Sequence, residues 1–148
     1  MGQLGFVEPL GVFGILAEQR EIEQLGEQLR VLSGGVAKPE RPRIAHYLRS
    51  GRIVVALMEH SRDVLGGKFW VPGGSGICTD GAYYWRYDAA NYVEEYGTEL
   101  PPEFLEYGRH RLWQPPQLTE KQVLAVDRYL MRHLGGRTVP NDPGGIQN

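Results

Sequence analysis

The spacing of apolar residues predicts an amphipathic helix near the start of the chain. Over residues 18–32, apolar side chains recur at three- and four-residue steps with charged side chains between them, and Gly34 and Gly35 follow as a stop. Residues 38–43 (KPERPR) are predicted as a proline-broken basic linker. A short helical piece with Ile44, Tyr47 and Leu48 on one face then ends at Gly51.

Three further helices are predicted in the second half of the chain. The first begins at Asp88 as N-cap and ends at Gly97. The second begins at a pair of prolines, 101 and 102, which the first turn of a helix tolerates. The third begins with a capping box of Thr119 and Gln122, and it turns apolar side chains to one side as far as Leu134.

The strand signals lie between these helices. Residues 52–59 (RIVVALME) are apolar on both faces, which predicts a central strand. Residues 68–71 predict a second strand. Residues 77–79 and 82–87 predict a hairpin around Asp80-Gly81, because Asp-Gly between strand formers is typical of a type I′ turn.

This order of elements predicts an α+β fold, a small mainly antiparallel sheet packed with several helices. Residues 1–134 are expected to form a single domain, in which the glycine-rich residues 1–17 are a lead-in that packs on the core. Residues 135–148 have little to bury, which predicts a flexible C-terminal tail.

Composition excludes several classes of protein. The 148 residues carry 16 basic and 18 acidic side chains, and a net charge of −2 gives no reason to expect a nucleic acid as partner. Cys78 is the single cysteine, so no internal disulfide forms. With no apolar run long enough for a membrane span and no signal peptide, we expect a soluble, cytoplasmic protein that does not bind membranes.

Motifs for catalysis, metals and cofactors are missing from the sequence. The four histidines stand singly, so we expect neither a metal nor a cofactor. The loop of residues 73–76 (GGSG) lacks the spacing of a phosphate-binding motif, although a projecting glycine loop could still insert into a partner's cleft. A small enzyme with a site assembled from separated residues is the weakest hypothesis, and its candidates would be Asp80, Tyr84, His60 and Arg86.

The charges divide into blocks along the chain. Residues 38–52 carry five basic side chains against one acid, and residues 80–106 carry seven acids against Arg86 alone. From residue 109 to residue 137 the balance is positive again. The blocks are compatible with an ordinary solvated surface or with an acidic patch for a protein partner.

Aromatic residues concentrate in the acidic block. Four of them occupy five positions of the predicted strand 83–87, so they lie on both of its faces. Either Tyr83, Trp85 and Tyr87, or else Tyr84 and its neighbours across the sheet, are expected outside the main core. Exposed aromatics beside carboxylates are typical of a protein-binding surface. The predicted partner-binding residues are Asp80, Tyr83, Trp85, Tyr87, Asp88, Glu94, Glu95 and Glu99.

Residues 79–105 (TDGAYYWRYDAANYVEEYGTELPPEFL) also resemble a known class of protein. The stretch combines T-D-G-x-Y-x-W, an acidic helix start, a Tyr-Val pair and L-P-x-E-F-L. It is similar to small bacterial immunity proteins that are encoded beside the secreted toxins of polymorphic and contact-dependent systems. The matching pieces are Thr79-Asp80-Gly81, Trp85, Tyr92-Val93, and Leu100-Pro101 through Phe104-Leu105.

The resemblance implies a protein that has no catalytic group and occludes the active-site cleft of a cognate toxin domain, of nuclease or NAD-consuming type. An acidic surface with aromatics at its centre suits a toxin with a basic cleft. The alternative is a generic interaction or regulatory module without a toxin partner. Neither the toxin's activity nor the oligomeric state follows from the sequence.

Overall fold

The computed structural model of the protein describes residues 6–14 and 22–134, and within these ranges it contains six strands and five α-helices. None of the described helices is both long enough and apolar enough to cross a membrane. The predicted tail, 135–148, lies outside the described residues. The strands are β1 (Glu8–Pro9), β2 (Arg52–Val55), β3 (His60–Arg62), β4 (Trp70–Pro72), β5 (Ile77–Thr79) and β6 (Tyr83–Arg86). The helices are α1 (Ile22–Val31), α2 (Arg41–Arg49), α3 (Ala89–Tyr96), α4 (Pro102–His110) and α5 (Glu120–Leu134).

The α+β prediction is confirmed. A four-stranded sheet has the order β1-β6-β5-β2, in which β1 is parallel to β6 and the other pairs are antiparallel. Strands β3 and β4 form a separate antiparallel hairpin. The lead-in contributes more than packing, because it supplies β1 and then a 3₁₀ turn at Gly11–Gly14.

The predicted hairpin is present as β5–β6, with Cys78 opposite Trp85, but its turn is centred one residue later than expected. Asp80 donates its N–H to the carbonyl of Tyr83 at 3.3 Å, so Gly81 and Ala82 are the central residues. Gly81 takes the positive φ, 94°, as the first central residue of a type II′ turn does. The Asp80 side chain is thereby freed to bind the turn's own backbone.

The prediction that residues 52–59 form a central strand is wrong. Strand β2 ends at Val55 and lies at an edge of the sheet. Its apolar residues on one face pack against α5, while Ile53 stays 53% exposed, so an apolar run on both faces does not require a central place. A register shift between Ile53 and Val55 interrupts its pairing, a common feature of edge strands.

The prediction of a basic linker at residues 38–43 is wrong, because these residues are helical. Residues Lys38–Glu40 form a 3₁₀ turn and α2 begins at Arg41, with Pro42 in the first turn, where its missing N–H breaks no hydrogen bond. The first helix is shorter than predicted, since α1 begins at Ile22, and residues 18–21 lie outside the described residues. The later helices follow the prediction closely.

Strand β6 divides the interior into two clusters. On one face, Trp85 is fully buried against α2 and α4, and it donates its indole N–H to the Leu48 carbonyl at 3.2 Å. On the other face, Tyr84 packs with Val126 and Leu130 of α5. Both faces of β6 are therefore covered, one by α2 and α4 and the other by α5.

Helix α4 ends in a tight turn that fits Trp113 into the larger cluster. Leu112 and Trp113 both have φ of 55°, a conformation that L-residues adopt at a cost. The Trp113 N–H bonds the Gly108 carbonyl at 2.8 Å, and its ring packs at 5.3 Å from that of Tyr47. A Cβ on Gly108 would lie 1.9 Å from the Trp113 ring, so glycine is required there.

Gly108→Ala is expected to lower the free energy of unfolding by about 1–3 kcal/mol, because the new methyl group displaces the Trp113 ring. Gly26→Ala is the matched control, since Gly26 is also in a helix and an added Cβ would meet only Val64, at 3.4 Å. Improved helix propensity should make the control neutral or more stable by up to about 1 kcal/mol. Urea denaturation measures both, and equal stability of the two variants would contradict the packing described.

Candidate functional site

The structure separates the eight predicted partner-binding residues into buried and accessible groups. Asp80, Trp85 and Asp88 are 5%, 0% and 0% exposed, so the expectation that they lie on the surface is wrong. Tyr83 and Tyr87 are half-buried and pack against the larger cluster. Tyr83 begins β6 and Tyr87 follows its last residue, with the buried Trp85 between them. The accessible members are Glu94, Glu95 and Glu99.

Asp80 is committed to the β5–β6 turn. One carboxylate oxygen accepts the N–H groups of Ala82 and Tyr83 at 2.9 and 2.8 Å, and the other accepts the Tyr47 hydroxyl at 2.6 Å. Burial, together with the negative charge of Asp80, raises the pKa of Tyr47 far above its usual value. Asp80 therefore fastens the turn to α2 and is unavailable to a partner.

Asp88 is at the N-cap position of α3, but its side chain makes no capping hydrogen bond. Its carboxylate instead binds Arg86 in bidentate geometry, at 3.0 and 2.9 Å, and accepts the Ser61 hydroxyl at 2.8 Å. Burial disfavours the charged guanidinium, but the adjacent carboxylate outweighs this and raises the pKa of Arg86. The pair is a buried connection between β6 and the β3–β4 hairpin.

The glycine loop of residues 73–76 is packed rather than projecting. The Asp88 N–H bonds the Gly74 carbonyl at 2.9 Å, and the Gly76 N–H bonds the Gly73 carbonyl at 2.9 Å. A Cβ on Gly74 would lie 1.8 Å from the Ser61 hydroxyl oxygen. Insertion of this loop into a partner's cleft is therefore incompatible with the described conformation.

The four candidates for a dispersed enzyme site have separate surroundings. Asp80 binds Tyr47, Arg86 binds Asp88, and Tyr84 packs under α5. His60 is exposed, with its ring 4.4 Å from that of Trp70. No hydrogen bond joins any two of these four, and the described residues contain no cluster of three or more potential metal ligands.

The exposed carboxylates follow one another through α3, the linker and α4. We call residues 94–106 the acidic segment, and its five glutamates are all exposed: Glu94, Glu95, Glu99, Glu103 and Glu106. Glu94 pairs with Arg49 at 2.7 Å and Glu95 pairs with Lys68 at 3.5 Å. The other three form no salt bridge with any described residue. The segment thus remains acidic, although two of its charges are locally balanced.

The β3–β4 hairpin is fixed to α3 by Asp63, which is 4% exposed. Its carboxylate accepts the Tyr96 hydroxyl and the N–H groups of Leu65 and Lys68, the last two at 2.8 Å. Burial opposes ionisation of Asp63, but these hydrogen bonds outweigh it and hold the pKa of Asp63 below its usual value. The hairpin is consequently a rigid platform.

The outer face of this hairpin was not predicted from the sequence. The inward positions are Ser61 and Val71, and the outward positions, all exposed, are His60, Arg62, Trp70 and Pro72. Trp70 is 60% exposed and Met58, just before the hairpin, is 87% exposed. The adjacent pair Phe69-Trp70 was the available signal: in a strand the two rings point to opposite faces, and a two-stranded hairpin has one face uncovered.

Asp63 gives a test of this platform through the dependence of stability on pH. Because folding lowers its pKa below 3.8, the ionised carboxylate contributes stability that is present above that pH and is lost as the pH falls through the folded-state pKa. We expect Asp63→Asn to cost about 1–2 kcal/mol at pH 7. The difference from the wild type should shrink as the pH is lowered from 5 to 2.5 in urea denaturation. A difference that stays constant over that range would contradict this role.

Comparison of the chain with protein-family models, with curated proteins and with solved structures finds no match in any of the three. The resemblance of residues 79–105 to immunity proteins therefore gains no support from a relative. The case for a function rests on the surfaces described above, the acidic segment and the outer face of the β3–β4 hairpin.

Proposed function

We propose that this chain is an immunity protein, which binds a cognate secreted toxin domain and covers its active-site cleft with the acidic segment. The observation that carries the proposal is the exposure of all five glutamates of that segment, which lie on α3, on α4 and on the linker between them. An inhibitor of this kind needs a rigid surface of the right charge rather than catalytic groups. The sequence resemblance of residues 79–105 leads to the same function.

The scaffold beneath the acidic segment supports such a role. Helix α3 buries Tyr92 and Val93, and α4 buries Phe104, each at no more than 2% exposure. Gly97 ends α3 with φ of 62°, and its N–H bonds the Val93 carbonyl at 2.8 Å. Little ordering should therefore be needed when a partner binds, which favours affinity.

The two ion pairs of the segment are compatible with binding to a basic cleft. The pairs of Glu94 with Arg49 and Glu95 with Lys68 involve side chains that are 40–55% exposed, and exposed pairs of this kind contribute only about 0–1 kcal/mol. A lysine or arginine of the partner can replace Arg49 or Lys68 at small cost. The remaining carboxylates would steer the approach of a positive surface.

Co-expression tests the function as a whole. The gene next to that of this chain should encode a large secreted protein, and its C-terminal domain should poison a bacterial host when produced alone. Co-expression of the chain should restore growth, and the two proteins should co-purify. Co-purification without protection would favour the generic interaction module instead. Absence of both effects with two soluble proteins would refute the proposal.

The acidic segment is tested by the double reversal Glu95→Lys/Glu99→Lys, which changes the net charge from −2 to +2. Its association rate with the toxin domain should fall at least about tenfold at low ionic strength, because steering is lost. The difference should narrow as salt is added. Surface plasmon resonance at several salt concentrations measures both effects.

Glu27→Lys/Glu120→Lys is the matched control for this reversal. It makes the same change in net charge and also breaks one exposed salt bridge, that of Glu120 with Arg52 at 3.4 Å, against 3.5 Å for Glu95 with Lys68. Its association rate should stay within about threefold of the wild type, because the glutamates of the acidic segment, and so the electric field at that surface, are unchanged. Equal slowing of both variants would show that net charge acts and that the acidic segment has no special part.

A further inference from the structure

The outer face of the β3–β4 hairpin combines apolar and basic side chains on one surface. In register, His60 lies opposite Pro72 and Arg62 lies opposite Trp70. We call these four residues, with Met58, the hairpin face. The His60 and Trp70 rings meet edge to face, at an interplanar angle of 85°. Tryptophan and arginine, with tyrosine, are enriched among the residues that contribute most to binding at protein interfaces.

The charges of this surface are all of one sign. None of the outward positions of β3 and β4 is acidic, and Arg62 forms no salt bridge with another described residue. Glu59, between Met58 and His60 in sequence, is exposed, although by strand alternation it falls on the same side as Ser61. Lys68, two residues before Trp70, is directed to α3 instead, where its ammonium lies 5.2 Å from the Tyr96 ring and pairs with Glu95. The hairpin face therefore has the opposite charge to the acidic segment.

The hairpin face is held in place before any partner binds. Tyr92 accepts the Val64 N–H at 3.0 Å, and Asp63, Ser61 and the buried Val71 fix the inner side. Trp70 contributes nothing to either buried cluster. Packing of the fold does not use the exposed Trp70 ring, whereas binding of a partner would use it.

We propose that the hairpin face is a second docking surface, which binds a protein segment that carries an apolar side chain flanked by carboxylates. The apolar side chain would cover Trp70 and Met58, and a carboxylate would pair with Arg62. This inference is independent of whether the partner is a toxin, because it uses none of the residues of the acidic segment. It identifies the partner by charge complementarity and by the exposed indole.

Other occupants fit the observations less well. A two-fold dimer through this face would bring together two surfaces of the same positive charge, which opposes association. Single-stranded nucleic acid stacks on aromatic rings within a positively charged groove. The hairpin face has one exposed tryptophan and one arginine, and Lys68 beside it is paired with the acidic Glu95, so this face offers less than such a groove provides.

A random-peptide phage library, panned on the immobilised full chain, tests the proposal. Enriched peptides should have net negative charge and contain a large apolar residue. Their dissociation constants should rise at least about tenfold for Trp70→Ala and for Arg62→Glu. Leu112→Ala and Arg128→Glu are the matched controls, an exposed apolar residue and an exposed arginine elsewhere, and they should bind as the wild type does. Because all four side chains are exposed, thermal unfolding should show each variant folded.

Several results would overturn the proposal. They are the enrichment of basic peptides, binding of the enriched peptides that is unchanged in Trp70→Ala, and a selection that enriches no peptide at all. Binding of oligo-dT that is lost in Trp70→Ala would assign the face to nucleic acid, and dimerisation in sedimentation that is lost in Trp70→Ala would assign it to a second copy. Each of these outcomes is distinct from failure of the toxin co-expression, which tests the acidic segment.

Discussion

Strand β6 carries large side chains on both faces, and the positions of the helices follow from the need to cover both. Trp85 and Tyr84 point in opposite directions, and each needs an apolar surface to pack against. Helices α2 and α4 supply one surface, with Phe104 beside Trp85, and α5 supplies the other, with Val126 and Leu130. The last helix thus completes the core on the face of the sheet opposite to α2 and α4.

Buried polar groups then connect the smaller hairpin to this framework. Asp88 joins Arg86 on β6 to Ser61 on β3, and Asp63 joins the loop of the hairpin to Tyr96 on α3. A buried carboxylate needs an ion pair or hydrogen bonds to offset the loss of water. Asp88 pairs with Arg86, and Asp63 accepts hydrogen bonds from the Tyr96 hydroxyl and from backbone N–H groups. These connections hold the hairpin, and therefore Trp70, in a fixed position beside the acidic segment.

The local signals in the sequence predicted most of the elements. The Thr119–Gln122 capping box is present with bonds of 2.8 and 3.1 Å, and Gly97 ends α3 as expected. Such features depend on neighbours within a few residues. The edge position of β2 was not predictable in this way, because it depends on where α5 packs.

The candidate site was less predictable for the same reason. In the sequence, Asp80 and Asp88 look the same as the exposed glutamates, because all of them belong to one acidic block. Their tertiary contacts, Asp80 with Tyr47 and Asp88 with Arg86, bury these two carboxylates. The charge blocks also pair across the chain, as Arg49 does with Glu94 and Arg109 does with Glu40. Aromatic residues are most concentrated in and next to β6, whereas the exposed tryptophan, Trp70, lies outside that stretch.

The structure places the aromatic residues of β6 in or against the core and leaves Trp70 as the accessible indole. Acrylamide quenching of tryptophan fluorescence tests it directly, because the chain has three tryptophans, and Trp85 and Trp113 are 0% and 5% exposed against 60% for Trp70. In Trp70→Phe the emission should shift to shorter wavelength and quenching should become weak. Emission and quenching unchanged from the wild type would show that Trp85 or Trp113 is accessible, and would contradict the account.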